Sequence, residues 1–276
     1  MASEPFIAYL VHWLFYFSLV LLLFLRDKAL LFLCRIWYYC KAWVLRRWYG
    51  RNDWRYLLLW TDATPAVTKR LAKTLGADAS TFGVVPLDNP EHVGRFSLRP
   101  SLIGAICLLV TDVSKLSESE KVRTRINGDL RKYVEDGGGI VGAHDLIYRR
   151  TRNQALEEVF GAIINQFART EARVIYQRNP TKKDHPIAKF LPDEFALSDG
   201  EVISGDWKSD CEVIYQTKNS PPSALVVARE YGKGKVVWLN SGDYKSGPPD
   251  SISIPEDGFV ELLKASILWV SQTPQW

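Results

Sequence analysis

Closely spaced cysteines are missing from this sequence. The four cysteines stand at positions 34, 40, 107 and 211, and none of them pairs with another at the spacing that zinc sites use. Cys34 and Cys40 fall in an apolar N-terminal region, and Cys107 falls in a predicted core strand. We therefore expect small buried thiols in a reducing compartment, and we expect no metal site and no bound cofactor.

An excess of positive charge is also missing from most of the chain. The net charge is +4, but residues 26–55 alone carry eight Lys or Arg against two Asp. The remainder is slightly negative, so the basic character belongs to a short N-terminal stretch. This distribution gives the rest of the chain no electrostatic reason to bind nucleic acid, and we expect no nucleic-acid partner.

Formal charge is missing altogether from residues 6–25. This run of 20 residues would form a helix about 30 Å long, which matches the hydrocarbon thickness of a bilayer. The residues before it lack the basic charge of a signal peptide, and the residues after it lack a small-residue cleavage site. We predict a transmembrane helix over 6–25 in the cell inner membrane, with the following basic cluster and the folded domain on the cytoplasmic side.

The segment 29–48 is also apolar as far as Leu45, but Arg35 and Lys41 interrupt it. Charges near the centre of a bilayer are costly, so this stretch favours an interfacial amphipathic helix, with a second membrane crossing as the alternative. Half of the tryptophans crowd into the N-terminal region, as is typical of a membrane boundary; they are Trp13, Trp37, Trp43, Trp48 and Trp54. We predict that residues 1–53 are a membrane anchor whose partner is the lipid bilayer, and that packing of such anchors would give a homo-oligomer.

Residues 54–276 alternate between strand and helix patterns. Strands are predicted at 56–60, 81–87, 103–110 and 140–143, and helices at 67–75, 117–136 and 153–167. The second half is more mixed, with strands at 173–177, 212–216, 224–230 and 235–240, the last two forming a hairpin, and a closing helix at 259–270. We predict an α/β fold: a flavodoxin-like open parallel sheet with helices on both faces.

Three motifs in order resemble those of one protein family. They are Tyr133–His144, then Asp184–Ile187 with Leu191–Phe195, then Tyr231–Trp238 leading to Ser241 and Gly242. Together they resemble the ThuA-like (trehalose utilisation) family, a branch of the class I glutamine-amidotransferase-like fold, over about residues 54–272. The resemblance implies that fold for the soluble domain, 54–276, and a carbohydrate-modifying activity.

The chain departs from the pattern of that family in places that bear on chemistry. A histidine that the family usually shows is absent from Gly161–Ala168, and Gly242 is followed by Asp243 where the family has histidine. Amidotransferases need a cysteine nucleophile at a strand-to-helix elbow. The corresponding elbow is Gly142–Ala143–His144, which carries no thiol, so we do not expect glutamine hydrolysis.

Polar residues follow several predicted strands. His144 and Asp145 come after the strand at 140–143, Asp62 comes after the first strand and Asp112 after the third. Ligands bind beyond the carboxyl ends of strands in open parallel sheets. We predict that these four residues bind a ligand, with capping of the next helix as the alternative for the aspartates and a turn-stabilising role as the alternative for His144.

Three further residues complete the predicted ligand-binding set. His185 lies in a loop that the resemblance places near the pocket, although it could instead stabilise its own turn. Asp243 and Tyr244 would close the site from the late turn.

These features predict a membrane-anchored cytosolic domain that binds a small polar ligand, sugar-like or nucleotide-like, and acts as a sensor or effector. The alternative is a carbohydrate-modifying enzyme of the trehalose-utilisation type, in which His144 would be the catalytic acid-base group. A structural scaffold with a vestigial pocket is the third interpretation.

Overall fold

The computed structural model describes twelve parts of the chain. They are residues 29–30, 32–43, 54–61, 65–78, 82–87, 93, 98–109, 119–147, 153–169, 173–197, 201–240 and 257–272. The predicted transmembrane helix over 6–25 lies outside them. Within these parts, no helix combines the length and the apolar character that a membrane crossing requires.

Eleven strands and five α-helices make up the described part of the domain. The strands are β1 Arg55–Thr61, β2 Phe82–Pro86, β3 Ile103–Leu109, β4 Gly139–Ala143, β5 Ala162–Arg169, β6 Val174–Arg178, β7 Glu194–Leu197, β8 Glu201–Trp207, β9 Glu212–Gln216, β10 Ala224–Tyr231 and β11 Gly234–Leu239. The helices are α1 Pro65–Asp78, α2 Glu120–Glu135, α3 Gln154–Phe160, α4 Pro186–Lys189 and α5 Asp257–Val270. Short 3-10 helices cover His144–Leu146 and Pro180–Lys182.

Nine of these strands form one mixed sheet in the order β2-β1-β3-β4-β11-β10-β9-β6-β7. The first five are parallel, and every pair from β11 to β7 is antiparallel. The predicted α/β fold is confirmed, and so is the hairpin predicted in the mixed second half. The sheet differs from a flavodoxin-like parallel sheet in the four antiparallel strands beyond β11. The chain changes direction at the predicted hairpin between β10 and β11, where Gly232 adopts φ 59°, a left-handed conformation that suits glycine.

The predicted helix over 153–167 is also wrong in its second half. Helix α3 stops at Phe160, because Gly161 takes a left-handed C-cap with φ 71°. The chain then enters β5, which pairs antiparallel with β8 in a separate two-stranded sheet. Ile163 and Ile164 favour a strand because they are β-branched. Strands β7 and β8 were not expected from the sequence either.

Two apolar cores cover the two faces of the large sheet. Leu57 and Leu59 of β1 point into one core, with residues of α1 and α5. Tyr56 and Leu58 point into the other, with residues of α2 and α3. This alternation along β1 follows from the two-residue period of a strand, and it confirms that helices cover both faces.

The glycine run Gly137–Gly139 joins α2 to β4 by close packing. Gly137 has φ 109° after the helix, a conformation that L-residues rarely adopt. A Cβ on Gly138 would lie 2.2 Å from the Tyr133 ring, and one on Gly139 would lie 2.3 Å from the backbone oxygen of Val270. The run is therefore required by the turn and by the approach of α5 to the sheet.

Residues 29–30 and 32–43 are helical and are called the N-terminal segment below. The segment contacts the domain through Tyr38 and Ala42. The Tyr38 and Tyr56 rings meet edge to face at 5.2 Å, and the Tyr56 hydroxyl donates a hydrogen bond to the Tyr38 carbonyl at 3.1 Å. Ala42 is buried in the core that contains Tyr56.

Candidate functional site

The carboxyl ends of β1, β3, β4 and β11 lie side by side. These four strands are parallel and adjacent in the sheet, so they end at one edge, called the carboxyl edge below. From β1 the chain crosses to β2 on one side, and from β2 it returns past β1 to β3 on the other side. This reversal is the type of crossover point where α/β sheets bind ligands. Each of the four strands is followed in the sequence by predicted site residues.

Two of the predicted residues at this edge fall within the described chain. His144 begins the 3-10 helix that follows β4 directly, and Asp145 is its second residue. The Asp145 side chain is completely buried, which is unusual for a carboxylate. The other four residues lie outside the described parts: Asp62, Asp112, Asp243 and Tyr244.

Asn153 fixes the turn that carries His144 and Asp145. Its side-chain oxygen accepts a hydrogen bond from the Leu156 amide at 3.4 Å and caps α3. Its side-chain nitrogen donates to Asn127 of α2 at 3.1 Å and to the Leu146 carbonyl at 3.4 Å. One buried amide thus ties the turn to two helices.

The ends of β1 and β11 are fixed by buried polar groups as well. The hydroxyls of Thr61 and Thr68 lie 2.7 Å apart and join the last residue of β1 to α1. The Asn240 side-chain oxygen, just after β11, accepts a hydrogen bond from the Ile203 amide of β8 at 3.0 Å. These contacts hold the carboxyl edge in a defined geometry.

Buried polarity is concentrated at this edge. Ten polar or charged residues are buried among those that the structure describes, and five of them lie here: Thr61, Thr68, Asp145, Asn153 and Asn240. Burying a polar group is unfavourable unless it is hydrogen-bonded. The concentration therefore marks the carboxyl edge as the polar centre of the described domain. Asp145 is also predicted from the sequence; of the other four residues only Asn153 has a sequence signal, because it stands where a helix N-cap belongs.

His185 lies at the other edge of the sheet. Its ring is 5.2 Å from that of Trp269, and Trp269 in turn contacts Lys235 at 4.9 Å. Lys235 pairs with Gly139, the first residue of β4, whereas His144 follows the last. The structure therefore does not bring His185 together with His144 and Asp145.

The local contacts of His185 resemble those of a helix cap. Its Nδ1 accepts a hydrogen bond from the Ile187 amide at 3.2 Å at the start of α4. Burial lowers the pKa of the ring to about 4; Lys182 and Lys235 add to this effect and Glu212 opposes it. The ring is therefore neutral near pH 7, and its buried Nε2 has no hydrogen-bond partner within the described residues.

Comparison with known families decides the identity of the domain. The family model described as trehalose utilisation, ThuA, matches residues 107–270. The chain belongs to the ThuA family. No curated protein matches the sequence.

Solved structures share the ThuA fold at low sequence identity. A ThuA-like protein of Parabacteroides merdae is 16% identical with a TM-score of 0.57, covering 81% of this chain and 93% of that one. A cytoplasmic protein of Salmonella typhimurium LT2 is 13% identical with a TM-score of 0.58, covering 78% and 99%. A ThuA-like protein of Bacteroides uniformis is 17% identical with a TM-score of 0.53, covering 79% and 91%. These likenesses establish the fold alone.

The ThuA domain also has a cleft of about 290 Å³ along α3, which the sequence did not indicate. It is lined by Gln154, Glu157, Glu158, Gly161, Ala162, Ile163, Asp206, Trp207 and Lys208. Lys208 forms an ion pair with Glu158 across it at 2.6 Å, which lowers the pKa of Glu158. Because Lys208 and Glu158 bind each other, their charges are less available to a ligand, and the cleft is a weaker candidate site than the carboxyl edge.

Arg229 stabilises the end of α3 beneath this cleft. Its guanidinium donates to the carbonyls of Glu158 and Val159 at 2.5 and 3.0 Å and to the Asp210 carboxylate at 2.9 and 3.0 Å. The same contact lowers the pKa of Asp210. These bonds satisfy carbonyls at the C-terminal turn of the helix, which have no partner inside it.

The described thiols of the ThuA domain are unsuited to nucleophilic chemistry. Cys107 is completely buried within β3, and burial raises its pKa. Cys211 donates to the carbonyls of Phe160 and Gly161, and burial raises its pKa to about 11. A nucleophilic cysteine is the thiolate, so neither residue can replace the missing thiol at the elbow. Within the described residues, no group of three or more His, Cys, Asp or Glu could hold a metal ion.

Proposed function

We propose that this chain is a membrane-anchored cytosolic ThuA domain that binds a small polar ligand, sugar-like or nucleotide-like, at the carboxyl edge. The observation that carries the proposal is the concentration of buried, hydrogen-bonded polar side chains at the ends of β1, β4 and β11. Binding there would make the protein a sensor or effector that reports ligand occupancy at the membrane.

The chemistry of this edge suits a ligand rich in hydroxyl or phosphate groups. Rigid polar groups set in an apolar surround fix the orientation of a small ligand at little entropic cost. Asn153 and the Thr61–Thr68 pair supply that rigidity. His144 would donate or accept a hydrogen bond near neutral pH, because imidazole does both.

Membrane attachment is supported by the sequence pattern. The uncharged run over 6–25 is followed by a strongly basic stretch, the arrangement that keeps a following domain on the cytoplasmic side. We place the protein in the cell inner membrane on this basis. Association of its anchors into a homo-oligomer is part of the same proposal.

Calorimetry with the full-length protein in lipid nanodiscs tests ligand binding. Trehalose, glucose, ATP and GTP are titrated into wild type and into the His144→Ala and His185→Asn variants. We expect one class to bind with a Kd below millimolar, His144→Ala to weaken it by about tenfold, as loss of one hydrogen bond would, and His185→Asn to leave it unchanged. Absence of binding by all four compounds, or equal binding by His144→Ala, would contradict the proposal.

A carbohydrate-modifying enzyme is the second candidate, favoured by the trehalose-utilisation description of the family. His144 would then transfer a proton to or from a sugar hydroxyl. Incubation of the full-length protein with trehalose, followed by chromatography of the products, tests this directly. Turnover that persists in His144→Ala would exclude His144 as the acid-base group.

A further inference from the structure

The N-terminal segment exposes an unusual amount of apolar surface. Large apolar side chains that are 41–67% exposed occupy seven of its positions: Leu30, Phe32, Leu33, Ile36, Trp37, Tyr39 and Trp43. Only three other large apolar residues of the described chain are comparably exposed: Ile163, Ile175 and Phe190. Exposed apolar patches of this kind mark contact sites for partners or membranes.

Charge and apolar surface are separated around this helix. Successive helical residues are about 100° apart, so Tyr38 and Ala42, which touch the domain, lie on one side. Arg35 and Lys41, both exposed, lie within about 80° of that side. Six of the seven apolar residues lie about 100° or more away from it, and Tyr39 lies at the boundary. The basic groups therefore share the side of the domain, and the apolar side faces away from it.

We propose that the N-terminal segment lies in the headgroup region of an anionic bilayer, with its apolar side toward the acyl chains and the domain on its basic side. Separation of a basic face from an aromatic-rich apolar face is the pattern of interfacial helices. The uncharged run over 6–25 directly before the segment would hold it at that depth. The inference therefore rests on the proposed membrane anchorage.

A second crossing by residues 29–48 does not fit the contacts of Tyr38 and Ala42. Tyr38 packs against Tyr56 of β1, and Ala42 is buried in the core that contains Tyr56; both residues lie in the middle of that stretch. A helix spanning the hydrocarbon would draw β1 into the bilayer, where unpaired polar groups are strongly disfavoured. An interfacial helix keeps these contacts and places Arg35 and Lys41 among the lipid headgroups.

This placement also orients the carboxyl edge. Tyr56 is the second residue of β1, and the strand runs from it over a distance of about 16 Å to Thr61 at the carboxyl edge. The segment therefore contacts the opposite end of the strand from the proposed site. In this placement the carboxyl edge is the end of β1 farther from the bilayer.

Two native cysteines provide a matched pair of probes. Both Cys34 and Cys40 are exposed, so the expectation that they are buried is wrong. By helical spacing Cys34 lies on the basic side and Cys40 lies opposite the domain contact. In a Cys211→Ser background, Cys34→Ser leaves Cys40 for labelling with an environment-sensitive fluorophore, and Cys40→Ser leaves Cys34. The full-length variants are reconstituted in vesicles of phosphatidylcholine and phosphatidylglycerol.

We expect lipids carrying a spin label to quench the probe at Cys40, and aqueous iodide to quench the probe at Cys34. Quenching of both probes by deep spin labels with no iodide access would overturn the inference in favour of a second crossing. A Cys40 probe shielded from iodide but not quenched by lipid would overturn it in favour of contact with a second copy. Iodide access to both probes would overturn it while leaving the anchorage intact, provided that the protein resists alkaline extraction. Loss of protein on alkaline extraction would overturn the anchorage itself.

Charge reversal tests the role given to the basic side. The double variant Arg35→Glu/Lys41→Glu is expected to reduce lipid quenching at Cys40, because both residues would then be repelled by anionic headgroups. Lys69→Glu/Lys73→Glu, which makes the same charge change at exposed positions of α1, should leave it unaffected. An equal loss in both variants would overturn the placement of Arg35 and Lys41 at the headgroups.

Discussion

His185 was expected at the ligand site, yet its contacts are those of a structural residue. It caps α4 through Nδ1, and its ring stacks obliquely against Trp269 at the edge of the sheet opposite His144. The sequence alone cannot distinguish ligand binding from a turn-stabilising role for His185, because a His-Pro pair at a turn is compatible with both. Its position now depends on the packing of α4 against α5, which no local pattern reveals.

The buried ring of His185 should make folding stability depend on pH. Its folded pKa of about 4 lies below the unfolded value of 6.5, so the unfolded chain binds a proton first as the pH falls. Stability is therefore full above pH 6.5 and is lost between about pH 6.5 and 4, by on the order of 1–2 kcal/mol after allowance for partial exposure.

Thermal unfolding of full-length wild type and His185→Asn at pH 7.5 and pH 5 measures this effect. Asparagine keeps a side-chain cap but does not titrate. The wild type should lose more stability than the variant on acidification. Parallel losses in the two proteins would show that other groups cause the pH dependence.

Arg229 gives a second prediction for a single side chain. It is 7% exposed and holds two helix carbonyls together with Asp210. Arg229→Met should lower the free energy of unfolding by about 2–4 kcal/mol, because buried acceptors lose their donor. Lys208→Met is the control: its ion pair with Glu158 is about half exposed on both sides and should contribute less than about 1 kcal/mol. Similar losses in both variants, measured by denaturant unfolding, would contradict this account.

At the scale of whole elements, the approach of α5 to β4 depends on a missing side chain. Gly139 leaves room for the Val270 carbonyl, which a Cβ would meet at 2.3 Å. Gly139→Ala should lower the free energy of unfolding by about 1–3 kcal/mol, because backbone atoms of α5 must move. Gly128→Ala is the matched control, since nothing lies within 4 Å of its Cβ position in α2, and it should stabilise the protein by about 0.5–1 kcal/mol. Chemical unfolding of both variants measures these changes. An unchanged free energy of unfolding for Gly139→Ala would show that α5 can move away from β4 without loss of stability.

The sequence predicts the parallel elements well because each has a local signal. Continuous apolar runs predict β1, β3 and β4. Helix α2 is predicted by the four-residue spacing of its apolar residues Val122, Ile126, Leu130 and Val134, and the last three of these are buried. Strand β5 was not predicted, because a helix does begin after Asn153 and apolar residues continue past Gly161, so the sequence favours one helix over the whole stretch. The conformation of that one glycine ends α3, and only pairing with the distant β8 makes the following residues a strand.

The candidate site was predictable only in part for the same reason. Parallel strands that end together predict that His144 and Asp145 lie at the carboxyl edge, and they do follow the end of β4 there. The residues that hold the edge were missed, because the partner of Asn240 lies at Ile203 and that of Asn153 at Asn127. Hydrogen bonds between residues so far apart in the chain produce no periodic pattern in the sequence, so they cannot be predicted from it.

At the scale of the whole molecule, the N-terminal segment belongs to the folded domain as well as to the proposed anchor. Ala42 is 2% exposed and Tyr38 covers Tyr56. A chain beginning at residue 54 should therefore melt at a lower temperature than one beginning at residue 29, by several degrees per kcal/mol of lost contact. Comparison of the two melting temperatures in detergent tests this. Equal temperatures would show that the segment adds nothing to the stability of the domain.

The outermost strands of the large sheet limit how copies of this chain can associate. Strand β2 has five residues and ends at Pro86, and β7 at the far side has four. Short edge strands present few unpaired backbone groups and proline lacks an N–H donor, so an added strand would pair poorly with either edge. Fibril growth by extension of the large sheet is therefore disfavoured at both of its outer strands, and copies of this chain would have to associate through surfaces other than these two strands.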